Sequence, residues 1–213
     1  MLAEQRTALA HQFDDLAQQS EASNLGMWAF LLTELMFFGG LFVSYTVYRH
    51  AYLAGFILGS EHLKTLMGTL NTGVLLSSSL TMALAVHAAQ EGHTRLLIRF
   101  LLLTLLLGLA FLGIKGYEYA FEYHESLVPQ LKFAYAGPYP RQVELFMIFY
   151  FVMTCLHALH MIIGLGLLTV LAVLAWRGRF SAEYHTPVEV IGLYWHFVDI
   201  VWIFLYPLLY LVR

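Results

Sequence analysis

Charge is scarce in this 213-residue sequence. Asp, Glu, Lys and Arg together make up 12% of it, against about 25% in an ordinary soluble domain. With a net charge of -3, nothing in the composition points to nucleic-acid binding. Cysteine occurs once, as Cys155 inside an apolar run, so the chain forms no internal disulfide and no cysteine-based metal site. There is no phosphate loop, nucleophile elbow, clustered metal-ligand motif, internal repeat or low-complexity tract. Nor does the chain open on a secretory signal. "MLAEQRTALAHQFDDLAQQSEASN" contains Glu4, Asp14, Asp15 and Glu21 and no apolar core. Residues 1–24 read as a polar tail, at most a short surface helix.

Apolar residues are in excess: 60% of the chain is hydrophobic, the composition of an integral membrane protein. A spanning helix needs about 20 mostly apolar residues. Five segments qualify: Leu25 to Tyr48, Leu63 to Ala89, Leu96 to Tyr119, Val143 to Trp176 and Pro187 to Val212. The fourth exceeds a perpendicular span, so it is expected to tilt or protrude. Thr94 is placed to cap the third, and Thr186, Pro187 and Glu189 spell a capping box for the fifth. The expected fold is an all-α integral membrane protein, a bundle of five transmembrane helices built from residues 25–213.

Five spans put the termini on opposite sides. With a cytoplasmic N-terminus, Arg6, Arg95, Arg99, Arg177 and Arg179 lie inside; Arg49, Lys64, Lys115, Lys132, Arg141 and Arg213 lie outside. Five against six does not orient the chain by the positive-inside rule. The inner arginines cluster in two tight loops, which favours a cytoplasmic N-terminus and a periplasmic C-terminus.

Ionisable residues at bilayer depth are costly and suggest functional sites. Glu34 sits in "LLTELMFFGG", His157 and His160 in "CLHALHMIIG", and His196 and Asp199 in "GLYWHFVDIVWIFLY". Glu34 and His196 lie about 13 Å into parallel helices at 1.5 Å rise per residue. Glu34 has no basic residue within a turn or two, and a lone desolvated carboxyl favours its neutral form. His157, His160 and Gly164 follow an i, i+3, i+7 spacing on one face. Histidines so placed usually hydrogen-bond to a neighbouring helix, and haem or metal ligation is the alternative. Asp199 is expected to sit in a hydrogen-bonded polar set with His196 and one of His157 or His160, because an unpartnered acid there is costly. A structural and a proton-handling role for it stay open. Lys115 and Glu118 lie near a helix end, where snorkelling accounts for the lysine. Gly39, Gly40, Gly68, Gly73 and Gly164, with Thr72 and Ser77, mark surfaces where helices can approach closely.

"GLYWHFVDIVWIFLY" closely resembles the C-terminal signature of subunit III of the haem-copper cytochrome c oxidases. "LLTELMFFGGLFVSY" is similar to that family's helix with the membrane-embedded glutamate, "TLNTGVLLSSSLTMALA" to its next helix, and "GIKGYEYAFEYHE" and "CLHALHMIIG" follow in the family's order. The resemblance spans residues 25–213 and is to the five-helix bacterial form; the first two helices of the seven-helix form have no counterpart. It implies a subunit without redox cofactors or catalytic residues of its own, the haem and copper residing in partner subunits. Such a subunit packs directly on subunit I beside subunit II, supports proton uptake, and protects a proton-pumping, oxygen-reducing respiratory enzyme of the bacterial plasma membrane from turnover inactivation. Glu34 matches the family glutamate that reacts with carbodiimides. Phospholipid binding is also implied, with Leu174 at the place of the family's phosphate-binding arginine and Arg177, one turn on, as the candidate contact. Two other readings are an accessory subunit of nitric oxide reductase and, from another class, a membrane cytochrome holding haem through His87, His157, His160 or His196.

Overall fold

The structure is a computed structural model describing residues 11–129 and 132–212. Arg6 and Arg213 lie outside the described residues. Six helices are described: α1 (Leu16–Ala51), α2 (Leu53–Glu61), α3 (Thr65–Gln90), α4 (Thr94–His124), α5 (Pro140–Trp176) and α6 (Thr186–Tyr210). All but α2 are long and apolar enough to cross a membrane. Between α4 and α5 a two-stranded antiparallel hairpin pairs Leu127 with Phe133 and Val128 with Lys132.

Helices α3 to α6 form a closed ring, α3 on α4, α4 on α5, α5 on α6 and α6 back on α3, with α1 laid outside against α6 and α2 against α5. One end of the bundle carries the start of α1 and the tight turn at Gly92; the other carries α2, the hairpin and Tyr210. The buried residues of α4 are Leu97, Leu101, Thr104, Gly108, Phe111, Lys115, Glu118 and Glu122. Their alternating steps of three and four are the seam of a left-handed helix bundle. By contrast, α1 buries only Leu31, Phe38 and Tyr45, spaced seven residues apart, of its 36 residues. It is thus a peripheral helix with most of its surface open.

The tightest packing centres on Trp195 of α6. A Cβ at Gly108 would lie 2.9 Å from one edge of the Trp195 ring, and a Cβ at Gly164 2.9 Å from another. The two glycines therefore form a slot that admits the indole, and its Nε1 donates to Ser78 Oγ at 3.1 Å. Tryptophan is accommodated because its polar atom finds a partner while its ring fills the gap.

Three local expectations are corrected. First, the polar tail is not separate from the first span: α1 begins at Leu16, because Asp15 Oδ1 accepts from Gln18 N at 2.7 Å and the following Ala, Gln and Glu residues are good helix formers. Second, α2 is an extra helix of nine residues, too short to register as a span; Phe56 anchors it between Tyr45 and Phe146, at ring separations of 5.4 and 5.6 Å. Third, the capping box does not form, and α6 starts after His185 without a side-chain cap. Thr186 instead donates to Ser20 of α1 at 3.2 Å, and Glu189 accepts from Gln90 of α3 at 2.6 Å. Partners on neighbouring helices have taken both capping side chains.

Candidate functional site

Glu34 projects from α1 onto α5, where its Oε2 lies 3.1 Å from His160 Nε2. The imidazole is fixed from its other side, since Nδ1 lies 2.8 Å from the Leu156 carbonyl one turn back and can only donate to it. Phe38 packs edge-on to the same ring at 5.2 Å, and the Tyr194 hydroxyl donates to the His160 carbonyl at 3.0 Å. A single proton is therefore shared between Glu34 Oε2 and His160 Nε2. The partner of Glu34 was invisible locally because it comes from another helix.

The polar set expected around Asp199 does not assemble as one network. Asp199 is 2% exposed, and neither of its carboxylate oxygens has a hydrogen-bond partner among the described residues. His160 is engaged with Glu34. His157 Nε2 donates to the Val198 carbonyl at 3.1 Å, leaving its buried Nδ1 unpartnered. His196 Nδ1 lies 2.8 Å from Ser79 Oγ. That hydroxyl is also close enough to Asp199 to interact, without reaching hydrogen-bond geometry. The histidines thus tie α5 to α1, α5 to α6 and α6 to α3 separately.

The strongest polar cluster lies where snorkelling was expected. Lys115 does not reach the surface: it is 2% exposed, as are Glu118 and Glu122. Its Nζ donates to Glu118 Oε2 at 2.9 Å, to Tyr150 Oη at 3.1 Å and to Tyr210 Oη at 2.6 Å. Tyr210 in turn donates to Glu118 Oε1 at 2.7 Å. The rings of Tyr119, Tyr150, Trp202 and Tyr210 surround the ammonium at 4.8 to 5.4 Å, a cation–π cage. Snorkelling fails because the side chain points along the buried seam of α4, where partners on α5 and α6 replace water. The sequence did carry the signal: Lys115, Glu118 and Glu122 repeat at i, i+3, i+7 and continue the apolar stripe of that helix.

The remaining candidates lie at the Gly92 end. His87 and His93 both approach Glu91, at 3.3 and 3.0 Å, on exposed surface, far in character from the buried His157. Arg177 is exposed at the end of α5. Among the described residues no three His, Cys, Asp or Glu side chains gather as a metal-ligand set.

Comparison with known proteins gives a consistent result. The family model described as cytochrome c oxidase subunit III matches residues 10–212. A cytochrome c oxidase subunit 3 of Thermostichus vulcanus is 32% identical over 98% of this chain and 95% of its own length. A probable quinol oxidase subunit 3 of Staphylococcus haemolyticus is 29% identical over 93% of each chain. The cytochrome c oxidase subunit 3 of Gadus morhua is 35% identical over 87% of this chain and 67% of its own.

Proposed function

The chain belongs to the cytochrome c oxidase subunit III family and is a multi-pass subunit III of a haem-copper oxidase of the respiratory chain; on that premise we propose that it is a non-redox subunit packed directly on subunit I. In this reading haem and copper reside in the partner subunits, the complex reduces oxygen to water while pumping protons, and this chain supports proton uptake and keeps the complex intact during turnover. The membrane would be the bacterial plasma membrane, with the Gly92 end of the bundle cytoplasmic.

The observation that carries the proposal is the match along the whole bundle. The surface of α1 supports the direct contact with subunit I. A Cβ added at Gly39 or Gly40 would meet nothing within 4 Å, and Leu32, Leu35, Met36 and Val43 are exposed. Paired glycines at mid-span serve close helix approach, and no described helix comes within 4 Å of a Cβ built there. In this reading a partner subunit's helix packs on that face of α1. At the cytoplasmic end, exposed Arg177 beside Trp176 is placed to hold a phospholipid headgroup phosphate, as cations at helix C-termini and bilayer interfaces do.

The accessory-subunit reading for nitric oxide reductase and the membrane-cytochrome reading are not favoured, since the relatives are named as oxidase subunits. The test is purification of the native complex through a tag on this chain in mild detergent. A haem-copper subunit I should co-purify with haem in the absorption spectrum, and the chain dissociated from it should be colourless. Recovery of the chain alone with stoichiometric haem would overturn the proposal.

A further inference from the structure

We propose that the cage formed by Lys115, Glu118 and Glu122 is a proton-binding site, with Glu122 holding the proton as a carboxylic acid. The inference starts from counting donors. A lysine ammonium has three N–H groups, and those of Lys115 go to Glu118, Tyr150 and Tyr210. Glu118 takes one of them and the Tyr210 hydroxyl, so both its oxygens are satisfied. No ammonium proton remains for Glu122, and the Tyr150 hydroxyl, which keeps its own proton, faces Glu122 without reaching hydrogen-bond geometry. Glu122 is 2% exposed, and both its oxygens are buried without a hydrogen-bond partner.

The charges give the same answer. From its own helix Glu122 is faced by Lys115, Glu118 and Tyr119, from α5 by Tyr150 and from α6 by Tyr210. Lys64, just before α3, sits over the ring of the adjacent Phe121 at 3.1 Å and is not among the charges that act on Glu122. One ammonium among two carboxylates leaves one negative charge in excess. Glu122 is also in the last turn of α4, at the negative end of the helix dipole, where an anion is disfavoured. An ionised Glu122 would be a buried, unmatched charge, the arrangement proteins avoid. Binding one proton from the aqueous phase to a carboxylate oxygen of Glu122 makes the cage neutral. Glu122 is also the member nearest the helix end, two residues before His124, so its proton has the shortest route to the aqueous phase beyond the hairpin. The site is separate from the pair of Glu34 and His160, which faces α1.

Infrared difference spectroscopy on the intact oxidase complex tests this. Glu122→Gln should remove one carboxylic-acid carbonyl band from the wild-type spectrum at neutral pH. In deuterated buffer that wild-type band should shift downward. Glu34→Gln should leave this particular band in place. A spectrum unchanged by Glu122→Gln in a complex that retains the subunit would overturn the proposal. If that variant loses the subunit, Glu122→Asp keeps a carboxylic acid on a shorter arm and should move the band. A band unmoved by Glu122→Asp would overturn the proposal equally.

Discussion

Glu34 and His160, 126 positions apart in the chain, form a hydrogen bond of 3.1 Å between α1 and α5. A carboxylic acid passes its proton to a nitrogen of a hydrophobic carbodiimide and its oxygen adds to the central carbon, and the hydrogen bond to His160 competes for that proton. Labelling is therefore expected at Glu34 in the wild type and absent in Glu34→Gln. In His160→Leu the acid loses its base and labelling should rise. Peptide mapping by mass spectrometry after labelling reads all three. Undiminished labelling in Glu34→Gln would place the reactive acid elsewhere.

Lys115 and Glu118 should behave as a matched pair. Lys115→Met strands a buried carboxylate and should destabilise the subunit by about 3–5 kcal/mol. The double variant Lys115→Met, Glu118→Leu removes both charges and should recover much of that loss. A double-mutant cycle on thermal release of the subunit from the complex measures the coupling. Additive effects would mean that the two charges do not depend on each other.

Tyr210→Phe removes the hydroxyl that accepts from Lys115 and donates to Glu118. The loss should be about 1.5–3 kcal/mol, the range for a hydrogen bond to a charged group. Because Tyr210 is the last residue of α6, faster proteolysis of the C-terminal end should accompany it. Unchanged stability and cleavage would show that the hydroxyl is dispensable.

The Trp195 slot has no room for a methyl group on either side. Gly164→Ala and Gly108→Ala each overpack it and should cost about 1–3 kcal/mol. Trp195→Phe in the Gly164→Ala background should restore part of the loss. Thermal melts of the detergent-solubilised complex provide the comparison.

The five spans were legible because each is an unbroken apolar run, and lipid-facing helices require no other pattern. Helix α2 was not, since the nine residues of "LAGFILGSE" satisfy no length rule and are held by contact with α5. The start of α1 was misplaced because Leu16 to Asn24 is polar, and polarity hid a helix fixed by its Asp15 cap. Glu34, His157, His160, His196 and Asp199 could be picked out singly by their depth. Their partners could not, because every side-chain bond they make to another helix spans at least 41 positions. The Lys115 cage was readable in principle: its i, i+3, i+7 spacing matched the apolar seam, yet proximity to a helix end suggested a surface lysine.

Asp199 lacks a partner for either oxygen, so its carboxylate contributes no hydrogen bond that a substitution could remove. Replacing an unsatisfied buried polar group by an apolar one is close to neutral. Asp199→Asn and Asp199→Leu should therefore both leave the subunit bound, as judged by its recovery with the purified complex. Loss of the subunit in Asp199→Leu alone would reveal a bridging partner for the acid.

The most direct test of a supporting, non-redox role is an oxygen-electrode trace of the complex with and without this subunit. Without it, the initial rate of oxygen consumption should persist and then decay faster during turnover, and adding the subunit back should restore a sustained rate. An immediate loss of oxygen reduction on removal would place a catalytic centre in this chain. A trace identical with and without the subunit would contradict its protective role.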